Sequence, residues 1–306
     1  MKKLRVAVLM GGKSAEREIS LLSGKEVIKN LDKEKYETFP VVVSKEGKFE
    51  LPKGTDVAFI ALHGPFGEDG TVQGQLELMG INYTGSGVLA SALGMDKALF
   101  KRVLKSAGIK VPRSVEISKK GRDTREVLKV VGKPPYFVKP NDQGSSVGAS
   151  IVRHKKDLRK ALNLVFKYSE EALAEELLPG KELTCGVMGN NKPSPLPVVE
   201  IRPLKGDFFD YKSKYTESGA EEIVPAPISK ALTKKVQEIS LEVYKLLKCR
   251  GFARIDFMLN KRGEPVVLEI NTVPGLTPMS LMPKAAKAAG LSYARFLDKI
   301  IQYATK

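Results

Sequence analysis

The chain has 306 residues, 42% hydrophobic and 28% charged, with 27 glycines and 18 prolines; this is globular composition and excludes a collagenous, disordered or disulfide-stapled chain. Its 51 lysines and arginines against 35 acids give a formal charge of +16, which admits nucleic acid, anionic small molecules or a lysine-rich surface as partners of that charge. The basic residues are spread along the chain without interleaved aromatics, which favours a solvated surface over nucleic-acid binding.

Leu4 to Met10 reads as a buried strand, and Gly11-Gly12 turns it into a helix from about Ala15 to Leu31. Val57 to Leu62 is a second apolar run, followed by the glycine-rich loop His63 to Gly70 and a helix from Gln73 to Met79. This alternation predicts an open parallel sheet, which binds ligands at strand ends that carry such loops. A helix over Lys97 to Ala107 leads into short strands, Tyr136 to Pro140 and Ala149 to Val152, and a helix from Leu158 to Tyr168. Beyond Pro179-Gly180 come further strand patterns, a glycine- and aromatic-bearing loop from Leu204 to Glu222, a helix from Ser229 to Leu247, a hairpin and a C-terminal helix. The expected class is α/β, in part α+β: an N-terminal open parallel α/β sheet (1–95) plus central (96–180) and C-terminal (181–306) α+β domains. The apolar runs are strand-sized, far short of the roughly 20 residues of a spanning helix, and the N-terminus lacks a signal h-region. A cytoplasmic protein without membrane contact is expected. Cys185 and Cys249 lack metal-ligand spacing and read as small buried hydrophobes.

Three constellations bear on chemistry. The strands Phe252 to Leu259 and Pro265 to Asn271 form a hairpin. If its connection is the four residues Lys261 to Glu264, Asp256 lies opposite Glu269 and Arg254 opposite Asn271, all on one face. Ala253, Ile255, Phe257, Val266, Leu268 and Ile270 would then fill the other face. Facing carboxylates repel, so a cation must compensate: Mg²⁺, which takes Asp, Glu and Asn oxygens and shares its shell with phosphates, or Arg254 on a solvated polar face. The second constellation is Gln143-Gly144-Ser145-Ser146-Val147-Gly148, a turn whose free amides can surround phosphate oxygens, although many such turns are only turns. Lys139 in the adjoining strand could place a charge on a phosphate, while Lys97, heading a helix, reads as exposed. The third, Glu175 to Glu182 with Pro179-Gly180, suits an adenine and ribose hydroxyls. Glu16 by itself reads as an acid in a helix's first turn, stabilised by the helix dipole.

Met95-Asp96-Lys97, Phe137-Val138-Lys139-Pro140, Gly144 to Gly148, Arg254-Ile255-Asp256 and Glu269 to Gly275 together resemble the ATP-grasp ligases. Gly11 to Ser20, Ala61 to Gly64 with Gly67 to Gly70, and Tyr83 to Gly87 are similar, within that superfamily, to the D-alanine-D-alanine ligase family. The resemblance implies a three-domain homodimer with ATP between the central and C-terminal domains, which makes D-alanyl-D-alanine for peptidoglycan through an acyl phosphate. It assigns Lys97, Lys139 and Ser146 to ATP phosphates, Glu175 and Glu182 to adenosine, and Asp256, Glu269 and Asn271 to two Mg²⁺ ions, for which Mn²⁺ can substitute. It gives Glu16 to the ammonium of the first D-alanine, with Ser145 and Tyr215 in one hydrogen-bonded set and His63 beside that substrate. Ser280 would hold the second D-alanine's carboxylate, and Arg254 and the Gly275 N–H would meet the oxyanion. Lys214 and Tyr215 would close over the site as part of a lid, Lys214 toward ATP.

Overall fold

Near-continuous apolar runs in the first 83 residues are buried on both faces, which is what parallel pairing requires. In the computed structural model, which describes residues 2–121, 123–204 and 219–305, β1 (Leu4–Gly11), β2 (Tyr36–Val43), β3 (Val57–Ile60) and β4 (Asn82–Tyr83) form a parallel sheet of order β2-β1-β3-β4. The helices α1 (Arg17–Asn30) and α2 (Thr71–Leu78) belong to this part of the chain, and α3 (Val88–Met95) and α4 (Lys97–Ser106) follow it. The open parallel sheet expected from the sequence is present; β2 and α3 went unread.

A second sheet is antiparallel, of order β5-β8-β6-β7, from β5 (Ser114–Ser118), β6 (Tyr136–Pro140), β7 (Ser150–Val152) and β8 (Glu171–Glu176). Leu158, Ala161, Leu162 and Val165 of α5 (Leu158–Val165) pack onto it. The third sheet runs β12-β11-β9-β13-β14, with β10 (Ser194–Pro195) paired to β9. Its other strands are β9 (Glu182–Met188), β11 (Val199–Pro203), β12 (Ala220–Ile223), β13 (Phe252–Leu259) and β14 (Pro265–Asn271). The end of the expected Leu204 to Glu222 loop is therefore strand, because residues 220–223 pair with β11. Across this sheet lies α6 (Lys230–Leu246), whose N-terminus Ser229 caps by accepting from Leu232 N. The single expected C-terminal helix is two, α7 (Leu281–Ala288) and α8 (Tyr293–Ala304), separated by Gly290 in a left-handed conformation (φ +83°). Among the described residues no helix is long and apolar enough to cross a membrane.

The cores cross the sequence order. Phe296, Leu297, Ile300 and Ile301 of α8 share a cluster with Val6, Val8 and Val27 of the first sheet and α1. Phe100 and Leu104 of α4 share another with Leu183, Val187 and Phe257 of the third sheet. Cys185 and Cys249 are buried, as expected, and burial pushes both thiols up to about 12.

The β13–β14 register departs instructively from expectation. The connection has five residues, since Leu259 pairs with Pro265 and Phe257 with Val267. A β-bulge then takes up one extra residue, Leu268, so that Asp256 does face Glu269 and Arg254 does face Asn271. Val267, rather than the expected Val266 and Leu268, shares a cluster with Phe257 and Leu259; Val266 is buried outside that cluster, and Leu268 turns to the cavity side.

Because Phe296 is fully buried between α8 and the first sheet, Phe296→Ala is expected to cost about 3–5 kcal/mol. Urea unfolding followed by circular dichroism checks this, and a loss below about 1 kcal/mol would show that α8 contributes little to that core.

Candidate active site

Two cavities of about 660 and 360 Å³ share Lys97, Ser145, Glu182, Ile201, Leu268 and Glu269 in their walls, so they form one cleft. The larger is lined by β6, the 143–149 loop and Glu175 to Glu182; the smaller takes Glu16, His63, Arg254, Asp256, Asn271, Gly275 and Ser280.

Lys97 of α4 and Lys139 of β6 place cations in a cleft that acids also line. Lys97 was expected to be exposed, yet it is only 6% exposed and donates to Gln143 O at 2.7 Å. The reason is Asn141, which accepts from Ala98 N at 2.8 Å and donates to Asp96 Oδ1 at 2.9 Å, drawing the start of α4 against the end of β6. Burial lowers the pKa of Lys97 despite the pull of Glu269. One turn on, Lys101 is pulled by burial to about 8 against the opposing effect of Glu175. Glu175 lies between Lys101 (2.8 Å) and Lys139 (3.4 Å). Burial raises the Glu175 carboxyl, but these two cations outweigh it and hold the group ionised. Lys139 likewise loses to burial but gains more from Glu175 and Glu269, so its pKa is raised.

On the hairpin, Arg254 donates to both carboxylate oxygens of Asp256, Nε at 2.9 Å and a terminal nitrogen at 2.8 Å. Thr184 Oγ1 donates to Asp256 Oδ1 at 2.6 Å, and Lys139 lies 3.8 Å from Glu269. Arg254 thus neutralises part of the facing pair, on a face that lines the cleft: Asp256 is 6% exposed, while Arg254, Glu269 and Asn271 are half-buried. Burial lowers the Arg254 pKa less than the adjacent acids raise it, so the guanidinium stays charged. Among the described residues no group of three His, Cys, Asp or Glu side chains is placed for a metal. The set at the hairpin is two carboxylates and the Asn271 amide oxygen, which accepts from Val273 N at 3.0 Å. These hard oxygen donors beside buried lysines fit Mg²⁺ that keeps water and phosphate ligands.

The 143–149 loop closes the smaller cavity. Ser145 and Ser146 both adopt left-handed backbone, φ +48° and +57°, a conformation that turns successive amides toward one point. Ser145 Oγ donates to Glu16 Oε1. Gly144 leaves room for that carboxylate, since a Cβ would stand 2.8 Å from Glu16 Oε2 and displace it. Glu16 is the residue preceding α1, rather than an acid of its first turn, and it is buried. His63 Nδ1 donates to Val273 O at 3.2 Å, its Nε2 lies 3.1 Å from Ser23 Oγ, and Glu68 is 3.6 Å away. Ser280 Oγ and Thr277 Oγ1 are 2.9 Å apart, and Gly275 packs so closely that a Cβ would lie 2.8 Å from Ser280 Oγ.

Family comparison matches the descriptions "D-ala D-ala ligase C-terminus" over residues 103–302 and "D-ala D-ala ligase N-terminus" over 5–55 and 50–86. A D-alanine–D-alanine ligase of Clostridium beijerinckii is 43% identical over 99% of both chains. The chain belongs to the D-alanine–D-alanine ligase family. Among solved structures, the ligase of Bacillus anthracis complexed with ATP superposes with TM-score 0.85 at 38% identity, covering 99% of this chain and 97% of that one. The VanG D-Ala:D-Ser ligase of Enterococcus faecalis gives 0.88 at 33%, covering 99% and 100%. The fold is that of the ATP-grasp ligases.

Within this family member, the cleft brings together Glu16, His63, Lys97, Lys139, Ser145, Ser146, Glu175, Glu182, Arg254, Asp256, Glu269, Asn271, Gly275 and Ser280. Lys214 and Tyr215 lie outside the described residues. Sequence reading missed Lys101, Asn141, Glu68 and Thr184. Lys101 was detectable as a second lysine one turn after Lys97 on a helix with an apolar face, whereas Asn141 and Thr184 carried no local signal.

His63 supplies a pH test. Burial lowers its pKa, but Glu68 together with Glu16 outweighs that and raises it. Its stabilising contribution is therefore complete below about pH 6.5 and lost as pH rises through the folded value. Imidazole resonances followed by NMR should show His63 titrating above 6.5, with Glu68→Gln lowering the midpoint; a wild-type midpoint at or below 6.5 contradicts the ion pair.

Proposed function

We propose that the protein joins two D-alanines into D-alanyl-D-alanine at the expense of ATP, forming ADP and phosphate, as a supplier of peptidoglycan precursor. The observation that carries the reading is the single cleft in which the loop at Ser145-Ser146 touches Glu16 on one side and faces Lys97, Lys139 and Glu269 on the other. A carboxylate suited to an amino acid's ammonium thus adjoins a phosphate cradle. The family membership and the ATP complex of the Bacillus anthracis relative support it.

A carboxylate does not react with an amine near neutrality, because oxide would have to leave. In the proposed reaction the first D-alanine, held by Glu16 and His63, attacks the γ-phosphate through its carboxylate, giving D-alanyl phosphate and ADP. Lys97, Lys139 and the Ser146 amide meet the phosphates, and Glu175 and Glu182 the adenosine. Asp256, Glu269 and Asn271 would hold two Mg²⁺ ions, or Mn²⁺ in their place, which supply charge neutralisation to the triphosphate. Ser280 takes the carboxylate of the second D-alanine, whose amine attacks the acyl carbon as phosphate leaves. Arg254 and the Gly275 N–H stabilise the oxyanion. The family resemblance adds Lys214 on the ATP side and Tyr215 in the set of Glu16 and Ser145. The reading includes a homodimer and a cytoplasmic location, both of which rest on the family resemblance.

Incubated with ATP and Mg²⁺, the protein should release ADP and phosphate only when D-alanine is present, and chromatography should find the dipeptide. AMP and pyrophosphate as products would refute the acyl-phosphate route, and the absence of any D-alanine dependence would refute the reading. Arg254→Met should lower kcat by about 10² to 10³, roughly 3 to 4 kcal/mol, with a much smaller change in KM for ATP. A variant that lost only ATP affinity would make Arg254 a phosphate ligand instead.

A further inference from the structure

Lys101 sits in the middle of α4 at 2% exposure and lines neither cavity among the described residues. Burying an ammonium this fully demands compensation, and two partners provide it. Its Nζ donates to Leu268 O at 2.8 Å and stands 2.8 Å from Glu175 Oε1. Leu268 is the bulge residue of β14, the last strand of its sheet. On that open edge the neighbouring Val267 N donates to Lys110 O at 2.9 Å, so two contacts from the α4 region flank the bulge. An unheld bulge on an edge strand can relax to the register of the hairpin end, where residue numbers across the ladder sum to one less. That slip would place Leu268, not Glu269, opposite Asp256.

We propose that Lys101 is a positioning residue that pins the Leu268 bulge, and thereby aims Glu269 at Asp256 while tethering Glu175 at the nucleotide end to the carboxylates at the metal end. The proposal rests on the functional reading above in that it takes Asp256 and Glu269 as metal ligands. Lys101 touches no reacting atom; its work is to hold the backbone from which a ligand projects, and loss of such outer partners typically weakens metal binding by 10- to 100-fold.

The test is Lys101→Met, read by electron paramagnetic resonance of Mn²⁺ at saturating ADP and by amide hydrogen exchange of residues 266–270. Mn²⁺ affinity should fall by about tenfold or more, with faster exchange in that segment and unchanged exchange in α8. Unchanged Mn²⁺ affinity, at whatever stability, would overturn the proposal and leave Lys101 a buried structural cation. Should Lys101→Met fail to fold, the double variant Lys101→Met/Glu175→Gln leaves no unpaired carboxylate; its Mn²⁺ affinity compared with Glu175→Gln alone decides in the same way. A wild-type protein that does not bind Mn²⁺ with ADP removes the metal assignment and this proposal together. One that binds it but releases no ADP on addition of D-alanine fails only the substrate reading.

Discussion

The constraint on which the site depends is that two carboxylates, Asp256 and Glu269, face each other across one antiparallel ladder. Like charges so placed repel, and burial of Asp256 removes the water that would screen them. The surrounding structure answers that cost. Arg254 grips Asp256 with two donors, Thr184 adds a third, and Lys139 approaches Glu269 from a different sheet. The result is a site in which Glu175, Asp256 and Glu269 each have a cationic side chain beside them.

A second consequence follows from where the cations come from. Lys139 and Glu175 stand on the middle sheet, Lys97 and Lys101 on a helix whose apolar face packs onto the third sheet, and Asp256 and Glu269 on the third sheet itself. Ion pairs among them tie these units together around the cleft. The Ser145–Glu16 contact adds the first sheet to the same assembly. The three sheets thus meet around the cleft through charged and polar contacts.

Much of this was legible in local pattern. The alternation of Phe252 to Leu259 and Pro265 to Asn271 marked the hairpin, and the carboxylate pairing was read correctly although the connection is one residue longer than expected. Two departures cancelled: the longer turn shifted the register by one and the Leu268 bulge shifted it back. The core face of β14 exposed the difference, with Val267 inward and Leu268 toward the cleft. Lys97 was misread as exposed because nothing in the helix itself shows that Asn141, more than forty residues on, draws its N-terminus inward.

By itself the sequence determined the parallel first sheet, the glycine-serine turn at Gly144 to Gly148, the acidic hairpin and, through several blocks in order, the ligase family. These depend on side-chain period, turn chemistry and residue identity over short spans, which the chain carries locally. Only the tertiary structure decided which lysines are buried, that Glu16 meets Ser145, that α8 completes the core of the first sheet, and that Lys101 donates to the carbonyl of Leu268. Each of these is a contact between residues far apart in sequence, and the burial or charge state of a side chain is set by what packs against it rather than by its neighbours along the chain.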